Sequence, residues 1–479
     1  MFDYPVAALA QFGFFLFSLI MFGKYPPAKA GALVVLSGLL FLPDVTLVRP
    51  FDLVAMDKNK IVFLGALLGL MVRQNAFFLA ARPVATLTYI MVPFFLINIV
   101  GWQTNLSTLL SQGELQPGLS FAWVLGQSIA DFFQFALPFL VAKALFNSIQ
   151  DIKTFFYIAV GMGLIYTLLA LIELVMAIPF RVFQFSDYLY NLPVRPQFRY
   201  GLTEPVVFLS LGHSLATFMV FPFVAAISLL KSGNTPSWWG INKVRIITFV
   251  GLISTLKVAS SLFGIAAAAS MTLFKTKALA TLLGIAALFT LTYPLMQVAD
   301  VFPEDILVDI AASYDEERAR SFGGRFYEEE FILDRMGSRM LFGWGHFGRI
   351  PDGDIVGADS GEPGLDAWWV IRLGMSGLLG VLFVLALLTF PIFSIRRKIK
   401  VITSDETKWL LCGLMICLVI RIADLLLNGW WNSLPVFFAG ALMGVSLAIK
   451  RNPVAALNLD DEPQTKPSPP SAIVAGTRR

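Results

Sequence analysis

The stretch DAWWVIRLGMSGLLGVLFVLALLTFPIFS, residues 366–394, carries one acid, Asp366, and one base, Arg372. A helix needs about 20 mostly apolar residues to cross a hydrocarbon core of roughly 30 Å, where every backbone N–H and C=O must be satisfied within the helix itself. Residues 366–394 exceed that length, and the same pattern recurs at 5–22, 29–47, 61–80, 83–101, 121–142, 154–178, 205–230, 241–256, 259–274, 278–298, 408–427 and 432–449. The sequence therefore predicts an all-α fold, a polytopic transmembrane bundle of about 12–13 helices, with 241–256 and 259–274 as a short pair.

Composition points the same way. The 479 residues are 57% hydrophobic and 14% charged, with a mean hydropathy of +0.73; soluble domains have about a quarter of their residues charged. Thirty-six Lys and Arg against 32 Asp and Glu leave +4, dispersed along the chain, which excludes a nucleic-acid partner that would need a concentrated basic face. Cys412 and Cys417 share one apolar window, and His213 and His346 are the only histidines. Neither a disulfide framework nor a Cys/His metal site is expected, and no cofactor is implied. GWGHFG (343–348) fits a dinucleotide string, but the RIPDGD that follows cannot open the required helix. Walker-type and HExxH motifs are absent from the sequence.

Lys and Arg in short loops are retained on the cytoplasmic side. Lys24 and Lys29, Arg73 and Arg82, Lys143 and Lys153, Lys231 and Lys243, Lys275 and Lys277, Arg396 to Lys400, and Lys450 with Arg451 fall on alternate loops, while 102–120, 179–204 and 300–364 are poor in Lys. This alternation predicts an outside N-terminus and a cytoplasmic C-terminus, against which Lys58, Lys60 and Lys257 dissent. Asp3 stands where a cleavable signal would carry a base, so the first window reads as a retained helix. The expected organisation is N-terminal helices over 1–178, a short external segment at 179–204, central helices over 205–298, one large external loop containing short helices at 299–365, C-terminal helices over 366–450, and a Pro-rich, disordered cytoplasmic tail at 451–479. No internal repeat is visible, which weighs against transporters built from two inverted halves.

The chemistry is expected outside. The loop from Asp300 to Gly364 holds Arg318, Arg320, Arg325, Arg335, Arg339 and Arg349, fifteen Asp and Glu, and no Lys. Guanidinium is a planar fork that grips phosphate or carboxylate with two bonds, whereas Lys is a mobile point charge. The plain alternative is that these arginines pair with the acids around them. Arg325 follows Gly323-Gly324 and reads as the opening of a helix, RFYEEEFILDRMGSRM. A cation is electrostatically misplaced there unless an anion or a carboxylate such as Glu328 or Glu329 meets it. The acidic runs at 315–317 and 328–330 read as solvated faces, because consecutive helical residues point in different directions. The smaller segment, Ile178 to Pro205, supplies Arg181, Arg195 and Arg199 beside Tyr188, Tyr190, Phe198 and Tyr200, suited to a sugar-bearing lipid pyrophosphate or to an interfacial aromatic belt. Within spans, Arg372, Arg421 and Asp424 are functional candidates by their cost, although Arg421 and Asp424 are spaced to neutralise each other. His213 reads as a satisfied polar group and His346 as an exposed group in a glycine-rich turn.

In order and topology these features resemble the O-antigen ligase and polymerase family, membrane glycosyltransferases that use polyprenyl-pyrophosphate-linked sugars. The resemblance spans about 180–395 and rests on Arg199 in RYGLTEP, Arg325, MLFGWGHFG at 340–348 and GMSGLLG at 374–380. Ser260-Ser261-Leu262-Phe263 stands where the family has Ser-Arg-Gly. Gly364-Leu365-Asp366 replaces a His-Asn pair associated with the ligases, which favours the polymerase branch. The resemblance implies that arginines (Arg199, Arg325, Arg195, Arg372 and Arg421) hold the donor pyrophosphate without a divalent cation. It also implies that a base takes the acceptor proton, by position Asp366, then Asp359, Glu362 or His346. The implied activity is polymerisation of repeat units at the periplasmic face of a bacterial inner membrane, with membrane lipid and a chain-length regulator as partners. A ligase of the same chemistry and a lipid-linked sugar flippase remain the alternatives.

Overall fold

A computed structural model describes residues 4–47, 54–73, 78, 81–111, 113–192, 196–199, 202–234, 237–238, 241–242, 260–313, 316–351, 365–429 and 431–457. Among these, nine helices are long and apolar enough to cross a membrane: α1 (Pro5–Lys24), α4 (Pro83–Gln103), α5 (Phe121–Leu145), α6 (Ile149–Phe180), α8 (Gly212–Lys231), α10 (Thr276–Val298), α13 (Trp368–Ile399), α14 (Asp405–Leu427) and α15 (Leu434–Arg451). Shorter helices are α2 (Pro27–Phe41), α3 (Lys58–Arg73), α7 (Phe185–Tyr190) and α9 (Ser260–Leu273). The chain is an all-α, multi-pass membrane protein. Most of the window at 241–256 lies outside the described residues.

Local sequence sets the helix ends. Pro5, Pro27 and Pro83 occupy first-turn positions, where a missing N–H costs nothing. Ser148 and Asp151 close a capping box at the head of α6. Ser404 accepts from the amide of Thr407 to start α14. The window expected from 205 begins as a helix only at Gly212, because the amides of Val206 and Val207 are turned to the Glu173 carboxylate, both at 2.8 Å.

Helix α14 is central, with 89% of its apolar window buried, and α1 and α4 are peripheral at 33%. Their outward Leu9, Leu16, Val84 and Leu96 are exposed, as a surface facing lipid tails requires. The middle of the bundle is aromatic: Phe155, Phe221, Phe437 and Phe438 lie with ring centroids 4.8 to 6.1 Å apart.

Loop-to-loop bonds fix which connections share an end. Lys153 pairs with Glu406 at 3.0 Å, joining the starts of α6 and α14 at the end that gathers the lysines. At the other end Asn105 donates to Gly343 O at 3.0 Å, and Lys58 to Phe208 O at 3.3 Å. Lys58 and Lys60 thus belong to the lysine-poor end, where Lys58 pairs with Asp44 and Lys60 with Asp57. That local neutralisation accounts for their departure from the charge pattern. The large loop holds α11 (Glu304–Ala312) and α12 (Glu316–Met336), the second longer than the short helices expected. Past Arg451, one more helical turn, α16 (Pro453–Leu457), precedes the tail, which from 458 lies outside the described residues.

Orientation is open to a direct measurement. Cysteines substituted at Ser321 and Ser404 are expected to react with an impermeant thiol reagent only at 321 in cells with a permeable outer envelope. The native Cys412 and Cys417 are buried and give little background. Labelling at 404 alone would invert the assignment.

Candidate active site

The turn at 340–348 and the kink in α13 at 374–380 lock into each other. Gly377 has φ 65°, outside helical space, within an otherwise continuous helix. The amides this frees are met by the turn and those of the turn by the helix: Trp344 N donates to Gly374 O at 2.7 Å, Gly345 N to Met375 O at 2.8 Å, and Leu378 N to Met340 O at 2.8 Å. Glycine is required for the approach, since a Cβ on Gly377 would overlap the backbone of Leu341 and Phe342, and one on Gly343 (φ 68°) would overlap Gly374 O. Arg349, 2% exposed, pins the turn from below by donating to Trp344 O, Ser107 O and Pro117 O. Arg339 donates to Thr104 O, and Arg335 packs on the ring of Phe331. These three loop arginines hold the loop together. His346 is exposed, and its Nδ1 accepts from Gly348 N at 3.1 Å within the turn. Loss of water around the ring, and then the charge of Arg349, lower its pKa and keep it neutral.

Helix α12 is held to α10 and to the start of α13 through two carboxylates. Glu329 Oε2 accepts from Tyr293 OH at 2.8 Å and Gln297 Nε2 at 2.7 Å, and Oε1 from the Trp369 indole at 2.9 Å. Glu328 accepts the amide of Asp366 at 2.8 Å. Both are buried, at 2% and 1% exposed, so the solvated face expected for 328–330 holds only for Glu330. The helix also does not start at Arg325. It runs from Glu316, with Gly323 and Gly324 in its interior and Val308 of α11 packed beside Gly323. Arg325 is half-buried, one turn before Glu328 on the same face. Asp366 is half-buried at the junction where Trp368 N donates to Asn428 O at 3.3 Å and Gly429 packs against Asp366 O.

Within the bundle, Arg372 is 5% exposed and pairs with Asp131 at 3.2 Å, its guanidinium 5.2 Å from the Phe135 ring centre. Asp131 also accepts from Asn98 at 2.9 Å and Gln127 at 3.2 Å, and immediately precedes a π-helical turn, Phe132–Ala136, a device that often marks functional positions. Arg421 and Asp424 do pair, at 2.7 Å, and the pair is extended by His213 at 3.2 Å and Asn428 at 2.9 Å. Asn428 therefore connects the buried pair to the loop junction beside Asp366.

Of the residues nominated from sequence, Arg325, Asp366 and His346 belong to the loop assembly, and Arg372 and Arg421 to separate buried ion pairs beneath it. Arg199 lies in strand β1 (Phe198–Arg199) of a two-stranded hairpin with β2 (Leu202–Thr203). Arg195, Asp359 and Glu362 lie outside the described residues. Comparison of the chain with protein-family models, with curated proteins and with solved structures gives no match.

The sequence reading passes over Asp131 and Glu173, and takes Glu329 for a local partner of Arg325 or part of a solvated face. Asp131 and Glu173 fall inside apolar windows, and the rule that singled out Arg372 would have found them. Glu329 had no such signal, since its three donors come from α10 and α13.

Burial, against the pull of its hydrogen bonds, pushes the Glu329 carboxyl up to about 8. An unfolded chain would release that proton near the usual 4.3. Between these values the folded protein holds a proton that the unfolded one has lost, so stability is greatest in acid and falls as pH rises from about 5 to about 8. At about 1.4 kcal/mol per unit the total is a few kcal/mol. Melting of the purified protein at pH 5.5 and 8.5 should show this fall. Glu329→Gln, which fixes the neutral form, should flatten it, and an equally steep fall in that variant would remove Glu329 as its source.

Proposed function

We propose that this protein is a membrane glycosyltransferase that polymerises polyprenyl-pyrophosphate-linked oligosaccharide repeats into a cell-surface polysaccharide at the periplasmic face of a bacterial inner membrane. The observation that carries this reading is the interlock of 340–348 with 374–380. Two motifs of the family resemblance, separated by the second half of the loop, meet as one backbone platform, and at the same end of the bundle Glu328 ties the Arg325 helix to the amide of Asp366. In this reading Arg325 and Arg199 grip the donor pyrophosphate, and Asp366 takes the proton of the acceptor hydroxyl. The acceptor oxygen bonds to the anomeric carbon as its bond to the pyrophosphate oxygen breaks, and the polyprenyl pyrophosphate leaves with the electron pair. Preorganised guanidinium groups stabilise that developing charge. Arg372, committed to Asp131, acts by holding α5 against α13 beneath the platform. A chain-length regulator fits as a partner at the same face.

The distribution of charge speaks against transport. Lys58, His213, Arg372, Arg421 and Asp424 fall within about two turns of the loop-bearing helix ends, and Asp131, deeper in α5, is paired with Arg372, whereas transporter sites are found near the midplane. Analysis of lipid-linked glycans after deletion of the gene tests the reading. Accumulated single repeats on the periplasmic side are expected. Long unattached chains would assign a ligase, and repeats held on the cytoplasmic side a flippase.

A further inference from the structure

The segment between α6 and α8, which carries Arg199, is held by an acid that lies inside a span. Glu173 is 1% exposed and sits about two turns before the end of α6, where an ionisable group is costly and is a functional candidate by default. Its partners are three backbone amides. Oε1 accepts from Phe185 N at 2.7 Å, and Oε2 from Val206 N and Val207 N, each at 2.8 Å. One carboxylate therefore ties the start of α7 to the residues that lead into α8. The carbonyl of Val207 closes the same junction by accepting from Ser186 N at 3.1 Å.

Val207 has φ 58°, a region that a β-branched residue rarely enters. Of the five non-glycine residues with positive φ among the described residues, three, Arg181, Asn191 and Val207, fall between 181 and 207. Strain of this kind persists only where the surroundings over-determine it, and it gathers at functional sites. The element attached to this junction is the hairpin. Thr203 Oγ1 donates to Arg181 O at 2.7 Å, Glu204 N donates to Gln197 O at 2.8 Å, and Phe198 and Arg199 pair with Thr203 and Leu202.

We propose that Glu173 is a positioning residue: it fixes the backbone at Val206–Val207, and with it the place from which the hairpin presents Arg199 to the donor. Such a role rests on glycosyl transfer as proposed above. Both carboxylate oxygens are spent on amides, so Glu173 acts through the hairpin and not on the substrate.

The test is a double-mutant cycle on elongation by the full-length protein in lipid nanodiscs with a polyprenyl-pyrophosphate-linked repeat, read beside hydrogen exchange of the amides at 206 and 207. Glu173→Gln keeps the side-chain volume and turns an N–H toward amides that need an acceptor. It is expected to lower kcat/KM for the donor about tenfold, but less than about twofold further where Arg199 is already replaced by Gln. The amides at 206 and 207 should exchange at least about tenfold faster in Glu173→Gln than in wild type. Should that variant fold poorly, Glu173→Asp, which keeps the charge and withdraws the carboxylate by one carbon, should show a several-fold loss with the same dependence on Arg199. Losses that multiply independently in the double variant, or full activity in the folded single variant, would reduce Glu173 to a support of the fold and overturn the proposal. A wild type that does not elongate, with the exchange difference present, would remove glycosyl transfer and the role of Arg199 while leaving the tether. Unchanged exchange at 206 and 207 would remove the tether whatever the activity.

Discussion

Arg325→Lys is expected to lose about tenfold to a hundredfold in polymer formation while expression and melting stay near wild type. Lysine keeps the charge and gives up the planar fork, and a charge-assisted contact to an oxyanion is worth about 1.5–3 kcal/mol. Arg325 lies in the middle of α12, on the face that carries Glu328 and Glu329 into the bundle, so its backbone is held whatever its head group does. The same change at Arg339, whose contact is to the carbonyl of Thr104, should cost far less activity. Normal glycan length in a well-expressed Arg325→Lys protein would reduce Arg325 to a structural contact. Equal losses at both positions would point to loop integrity in place of pyrophosphate binding.

The largest structural effect is expected from Gly377→Val. A β-branched residue at φ 65° is strained by about 1–3 kcal/mol. Its Cβ would also overlap Leu341 and Phe342, adding about 1–3 kcal/mol of overpacking. Separation of the turn from α13 should release the platform before the bundle melts. Limited proteolysis should then cut between 300 and 351 in the variant under conditions that leave wild type intact. Gly348→Ala, in the turn itself, meets nothing closer than 3.5 Å and should be much milder. Resistance of Gly377→Val to cleavage would show that the interlock is not what seats the loop.

The helices were legible in the sequence because a span in lipid has no backbone alternative. Residues 366–394 read as a span, and α13 covers Trp368–Ile399. Its extension past 394 runs through Arg396, Arg397 and Lys398, cations that suit a helix C-terminus. Register at the loop-bearing end was harder to read. Gly323-Gly324 looks like a helix boundary, but α12 runs through both, and the neighbour packed beside them, Val308, lies in a helix with no link to them in the local pattern. Glu328 and Glu329 look solvated because consecutive acids usually are; the donors that accept them into the interior, Tyr293, Gln297 and Trp369, lie 32 to 40 residues away. Arg421 and Asp424, by contrast, declared their pairing by their spacing, while the addition of His213 needed the packing of α8 on α14.

Elongation by the purified full-length protein, reconstituted in lipid nanodiscs with one polyprenyl-pyrophosphate-linked repeat unit and excess chelator, tests glycosyl transfer most directly. The account predicts a ladder of products spaced by one repeat, with polyprenyl pyrophosphate released once per added unit, and a ladder weaker by about tenfold to a hundredfold from Arg325→Lys at matched protein. Single repeats recovered unchanged, with no pyrophosphate-bearing lipid released, would contradict it.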